Sequence, residues 1–86
     1  MIFQDAYEAA QRYLTDHVRG RESHEVVIAS AMEYPSAWTF GYNTRKFLEE
    51  GDFGASMVGN GPVVVPKDGA AVYLAQSGSP VEDQLG

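Results

Sequence analysis

The stretch Trp38-Thr39-Phe40-Gly41-Tyr42-Asn43 places a large aromatic residue at every second position. Successive side chains of a β-strand point to opposite faces, so Trp38, Phe40 and Tyr42 share one face of a half-buried strand. That aromatic load has to be buried against another layer. Phe3 to Val18 supplies the layer. Phe3, Ala6, Tyr7, Ala10, Tyr13 and Leu14 recur at the spacing of one helical face, while Gln4, Glu8, Gln11, Arg12 and Thr15 point away. Asp5 and Glu8 put negative charge where the helix dipole favours it. Arg19-Gly20 is expected to end the helix, with Gly20 as a left-handed terminator. On this reading Trp38 is a core residue.

The rest of the chain reads as further strands, with short connections between the later ones. Glu25 to Met32 contains the β-branched run Val26-Val27-Ile28, and Tyr34-Pro35-Ser36 turns the chain into the aromatic strand. Thr44 to Met57 is less regular: Arg45 to Glu50 suits one or two helical turns, broken by Gly51-Asp52-Phe53-Gly54. A third strand is expected from Pro62 to Val65 and a fourth from about Ala70 to Gln76. Pro66-Lys67-Asp68-Gly69 between them suits a hairpin with Gly69 at positive φ. Ser79-Pro80-Val81-Glu82 has a serine cap, proline at the first helical position and glutamate three after the cap, which starts a helix. The expected fold is α+β: an N-terminal helix on a four-stranded antiparallel sheet, in the order α-β-β-β-β, with a short C-terminal helical turn. Residues 1–86 read as one domain.

The chain has no cysteine, which excludes disulfides and cysteine-based zinc sites and fits a cytoplasmic protein. Its start lacks a secretory pattern, and no apolar run approaches the roughly 20 residues that span a bilayer. The net charge of −6 argues against a nucleic-acid partner, because phosphate neutralisation needs clustered Lys and Arg. The charge either only keeps the chain soluble or steers in a basic partner.

No catalytic constellation emerges. His17 and His24 fall in no metal-ligand spacing and read as solvated or capping residues. The serines sit in no G-x-S-x-G elbow. Glu49-Glu50 and Glu82-Asp83 are adjacent pairs, and adjacent helical residues do not face one another. Gly59-Asn60-Gly61-Pro62 lacks the lysine of a phosphate-binding loop and leads into a strand, not a helix. Asn60 and Gly61 tolerate left-handed backbone angles, and Pro62 suits the first residue of a strand, so the reading is a rigid structural turn. No cofactor or metal is expected.

These segments together resemble a known family. Trp38-Thr39-Phe40, Thr44 to Asp52, Val58-Gly59-Asn60-Gly61-Pro62-Val63-Val64-Val65, Asp68-Gly69 and Pro80-Val81-Glu82 are similar, in that order, to the immunity protein 35 family. This is the YrhB-like group of small bacterial proteins linked to polymorphic-toxin systems. The likeness covers nearly the whole chain, including Ala9-Ala10 and Tyr13-Leu14 of the first helix. It implies an α+β fold and a non-catalytic protein that binds and neutralises a cognate toxin. Family members often continue into a fuller C-terminal helix, so here that helix is expected to be short or truncated. Trp38, Gly59, Gly61 and Pro62 match recurrent family positions, and each reads as structural.

An acidic surface is the expected meeting place for a toxin with a basic surface. Glu33 beside the Tyr34-Pro35 turn, and Glu49, Glu50 and Asp52 in the irregular segment, are the candidate contacts, with Tyr34 as an aromatic anchor. The alternative is a small-ligand or client-binding, chaperone-like module that uses the sheet face.

Overall fold

The computed structural model describes residues 1–57, 61–76, 78 and 80–85. Helix α1 spans Phe3–His17, and Ala6, Ala10 and Leu14 form its buried row. The two alanines have no bulk beyond Cβ, so the helix axis comes close to the sheet beneath it. The helix does not end on a left-handed glycine. Val18 closes it with an N–H bond to the Leu14 carbonyl at 2.9 Å, and a 3₁₀ turn, Arg19–Arg21, follows. Among the described residues positive φ occurs at Gly51 and Gly69, not at Gly20. Arg19 explains the difference. Its guanidinium donates to the Gln11 carbonyl and side chain, the Thr15 hydroxyl and the Val26 carbonyl, at 2.6 to 3.2 Å. The last turn of α1 is thereby tied to the first strand by a side chain.

Four strands follow: β1 Val26–Glu33, β2 Ala37–Thr44, β3 Val63–Pro66 and β4 Tyr73–Leu74. They form one sheet in sequence order, and each neighbouring pair is antiparallel. The β1–β2 ladder shifts register between Ile28 and Ser30, an irregularity of the bulge type. Strand β4 is shorter than expected. Pro66 has no N–H to extend the ladder, and Asp68 instead turns the loop by accepting the Ala70 N–H at 2.9 Å. Gly69 has the anticipated positive φ, 86°.

Helix α1 lies over β2 and β3. Beneath it the core joins Ala6, Ala10, Leu14 and Val18 to Val26, Phe40, Val63 and Val65. Phe40 is fully buried, but Trp38 is only half-buried, a correction to its place in the core. Trp38 lies at the margin, edge-on to Phe3 with ring centroids 5.5 Å apart. Lys67 Nζ stands 5.6 Å from its ring centroid. The opposite face of the sheet also carries a small core: Ala37, Val64 and Ala75 are buried, with Val81 and Leu85 packed on them.

That second core is covered by helix α3, Val81–Gln84, preceded by Pro80 at the cap position; Ser79, the expected cap, lies outside the described residues. Gln84 fixes the helix to the chain before it, accepting the Gln76 N–H at 2.7 Å and donating to the Gln76 carbonyl at 2.9 Å. No helix among the described residues is long and apolar enough to cross a membrane.

Candidate functional site

The turn and the irregular segment proposed as one acidic surface occupy opposite ends of β2. Tyr34 closes the β1–β2 turn through its N–H bond to the Ala37 carbonyl at 2.8 Å. The other group begins where β2 ends, at Thr44. Seven residue steps along a strand separate them, roughly 23 Å at about 3.3 Å per residue. One compact contact patch therefore cannot be centred on both.

At the first end, Glu33 reaches across to Lys67, Oε2 to Nζ at 2.6 Å. The ammonium that neutralises Glu33 is the one that approaches Trp38. Tyr34 and Pro35 stand between two shallow clefts. One, of about 300 Å³, is lined by Glu33, Tyr34, Pro35 and Lys67. The other, about 380 Å³ and more apolar, is lined by Tyr34, Pro35, Ser36, Glu82 and Leu85. Tyr34 is half-buried between them.

The second end is built around Thr44. Its hydroxyl is fully buried, accepts the Phe47 N–H at 3.1 Å and donates to the Ala55 carbonyl at 2.7 Å. It thus caps helix α2, Arg45–Glu50, and clamps the 3₁₀ turn Phe53–Ala55 in the same contact. Asn43 Oδ1 accepts the Met57 N–H at 3.0 Å, and Asp52 Oδ1 accepts the Gly54 N–H at 2.9 Å. Gly51, with φ 69°, ends α2 in the left-handed conformation that glycine permits. Neither Thr44 nor Asn43 was singled out from the sequence. Their signal is a Thr at the junction of an alternating strand and a helical segment, which is the cap position.

Charge at this end is organised by two cations. Arg45 pairs with Glu25 in fork geometry, Nε to Oε1 at 3.0 Å and Nη2 to Oε2 at 3.0 Å, and also reaches Glu49 at 3.3 Å. Lys46 lies 3.8 Å from Glu50 and 4.0 Å from Asp52. All four expected contact carboxylates, Glu33, Glu49, Glu50 and Asp52, thus have a cation of their own chain. These pairs are exposed and contribute little to stability singly.

Hydrogen bonds from Arg45, and then its charge, hold the Glu25 carboxyl below its ordinary value and raise Arg45 in turn. A depressed carboxyl pKa stabilises the fold at pH above the unfolded-state value. That stability is lost as pH falls through the lower folded-state value. The midpoint of urea unfolding is therefore expected to fall below about pH 4, and Glu25→Gln should flatten part of that fall. A Glu25 carboxyl resonance titrating at the ordinary carboxylate value would contradict this.

The structure also presents what the sequence reading did not. Phe53 is 82% exposed on the 3₁₀ turn, and Leu48 on α2 is 45% exposed. The Phe53 ring meets the Phe47 ring edge-on at 5.6 Å. Gly59 and Asn60 of the glycine-rich turn lie outside the described residues. Gly61 is buried, with its Cα facing the Ala75 carbonyl, and Pro62 accepts the Ala75 N–H at 2.9 Å. Gly61 is not at positive φ, so close approach, not a left-handed angle, demands a glycine there.

No group of three or more His, Asp or Glu among the described residues is placed to hold a metal ion. The His17 ring lies against Tyr13, tilted by 37° with centroids 4.4 Å apart, and His24 is exposed. A third cleft, about 310 Å³, is lined by Val18, Arg21, Glu22, Tyr42, Met57 and Leu74. Burial raises the Tyr42 phenol there.

Comparison with known proteins supplies the relationship. No solved structure matches the chain. The curated proteins include a relative from Escherichia coli (strain K12), the uncharacterized protein YrhB. It is 31% identical over 85 residues, which cover 99% of this chain and 85% of that protein. The family model described as Immunity protein 35 matches residues 4–84, from the first turn of α1 to the end of α3. With the helix, the sheet and the C-terminal turn all inside that match, the chain belongs to the Immunity protein 35 family.

Proposed function

We propose that this protein binds a cognate bacterial toxin domain and neutralises it by occlusion, without catalysis of its own. The observation that carries the reading is the family match over residues 4–84. A toxin-neutralising role is what that family suggests in general; the cognate partner and its acidic meeting surface are the finer reading. The excess of negative charge, −6 over the chain, supports a partner with a basic surface. Glu49, Glu50 and Asp52 remain the proposed contacts, at the α2 end of β2; Glu33 and Tyr34, at the turn before β2, are the alternative contact. Glu33 is the weaker candidate, because its 2.6 Å pair with Lys67 cancels its charge locally. The client-binding alternative has less free sheet to use. Helix α1 covers part of one face, and Val81 and Leu85 pack on the Ala37–Val64–Ala75 patch of the other.

The test is co-expression with the toxin encoded beside this gene. Growth should be restored by the parent protein, and the two should form a stable complex. Its association rate should fall as ionic strength rises, while dissociation changes less. The variant Glu49→Gln/Glu50→Gln/Asp52→Asn should associate up to about tenfold more slowly at low salt. An on-rate that ignores salt and is unchanged in the triple variant would remove the acidic surface from the proposal. Failure of the parent to protect or bind would remove the neutralising role.

A further inference from the structure

Phe53 is exposed because of how its turn is built. The backbone that carries it is fixed at several points: the Asp52 carboxylate on the Gly54 N–H, the Thr44 hydroxyl on the Ala55 carbonyl, the Ser56 N–H on the Phe53 carbonyl at 3.2 Å, and Asn43 on the Met57 N–H. Phe47 supports one edge of the ring, and the rest faces solvent at 82% exposure. An aromatic side chain held outward on a rigid turn has little conformational freedom left to lose on binding. Large aromatics of this kind are the residues that anchor protein interfaces.

The surroundings say what kind of surface fits. Glu25, Glu49, Glu50 and Asp52 stand on or beside α2, and the cations engaged with them are Arg45 and Lys46. Four carboxylates against two cations leave a local charge of −2 around the exposed Phe53 and Leu48. Two copies of the chain meeting through this corner would bring like charge together, which disfavours self-association. A basic partner meets complementary charge.

Building on the toxin-neutralising reading, we propose that the corner formed by α2 and the Phe53–Ala55 turn is the docking surface. Phe53 is its central anchor, supported by Phe47, and the exposed Leu48 adds apolar surface on α2. The occupant is a toxin domain that presents an apolar pocket bordered by Lys or Arg. The turn at Tyr34, at the far end of β2, lies outside this contact.

The probe is a catalytically inactivated form of the toxin domain encoded beside the gene, titrated against the full chain. Phe53→Ala should weaken binding roughly tenfold or more, mostly through faster dissociation. Its melting temperature should match the parent, since the ring is largely exposed. Met32, 56% exposed at the other end of the hairpin, gives the control: Met32→Ala should bind as the parent does. If the parent protects cells and Phe53→Ala binds with unchanged affinity, the docking surface is wrong and the neutralising role stands. If the parent neither binds nor protects, both fall together. A parent that sediments as a dimer, and becomes monomeric on Phe53→Ala, would show that a second copy covers this corner and overturn the assignment.

Discussion

Phe40→Ala is expected to remove about 3–5 kcal/mol of folding stability, a large share of the roughly 5–15 kcal/mol available to a small domain. Phe40 has no exposed surface and sits in the middle of the sheet, opposite Ala31 on β1 and Val63 on β3. Its ring meets Phe3 at 5.9 Å and Tyr7 at 6.1 Å, so it is where α1 grips the sheet. Truncation leaves a cavity that β2 and α1, pinned on both sides, cannot readily close. Trp38→Ala is the useful comparison. Trp38 is larger, but it is half-buried at the margin, and its N–H reaches the Met1 carbonyl only at 3.4 Å. About 1–3 kcal/mol is expected for it, in proportion to the apolar area it covers. Urea unfolding of both variants measures the difference. A Trp38→Ala loss exceeding that of Phe40→Ala would mean that the core is centred elsewhere.

The contrast between these two residues shows which parts of the fold the chain's pattern reveals. Periodicity identifies a face, and the faces of α1 and β2 were legible: Ala6, Ala10 and Leu14 are buried as the stripe requires, and so is Phe40. The antiparallel pairings β1–β2 and β3–β4 follow from the short connections between those strands, whereas β2 and β3 are joined through α2 and the Phe53–Ala55 turn. Depth within a face was not legible, because it depends on where α1 stops covering the sheet. The helix end was misread at Gly20 because the tether is a side chain, Arg19, that bonds residues eight positions back and seven ahead. The second core under α3 depends on tertiary docking of Val81 and Leu85, and two apolar residues near a chain end carry no periodic signal.

The candidate surface shows the same division. The pairs Arg45–Glu49 and Lys46–Glu50 follow from spacing along a helix. The pairs Arg45–Glu25 and Lys67–Glu33 join residues far apart in sequence and needed the sheet register. Phe53 was passed over because the default for phenylalanine is burial. Only the clamped turn between Asp52 and Ala55 holds it outward.

Gly61→Ala is expected to cost about 3 kcal/mol or more, at the upper end of overpacking effects. A Cβ on Gly61 would stand 1.9 Å from the Ala75 carbonyl oxygen and 2.6 Å from its carbon. The obstacle is backbone, and that backbone has little room to move. The Ala75 N–H is bonded to Pro62, Ala75 itself is packed in the second core, and Gln84 grips Gln76 from the far side. Relief would therefore have to come from parting β4 from the start of β3. Gly20→Ala is the matching control, since nothing lies within 4 Å of a Cβ there, and it should be neutral or slightly stabilising. Asparagine separates the two reasons for which a glycine is needed. Where the need is a left-handed angle, asparagine is the usual tolerated replacement. Where the need is close approach, its larger side chain collides as alanine does. Gly61→Asn is accordingly expected to lose at least as much stability as Gly61→Ala in thermal and urea unfolding. Near-parent stability in the asparagine variant, with loss in the alanine variant, would return the position to a turn defined by its backbone angles. Parent-like stability in both would show that the contact between Gly61 and Ala75 is not a constraint on the fold.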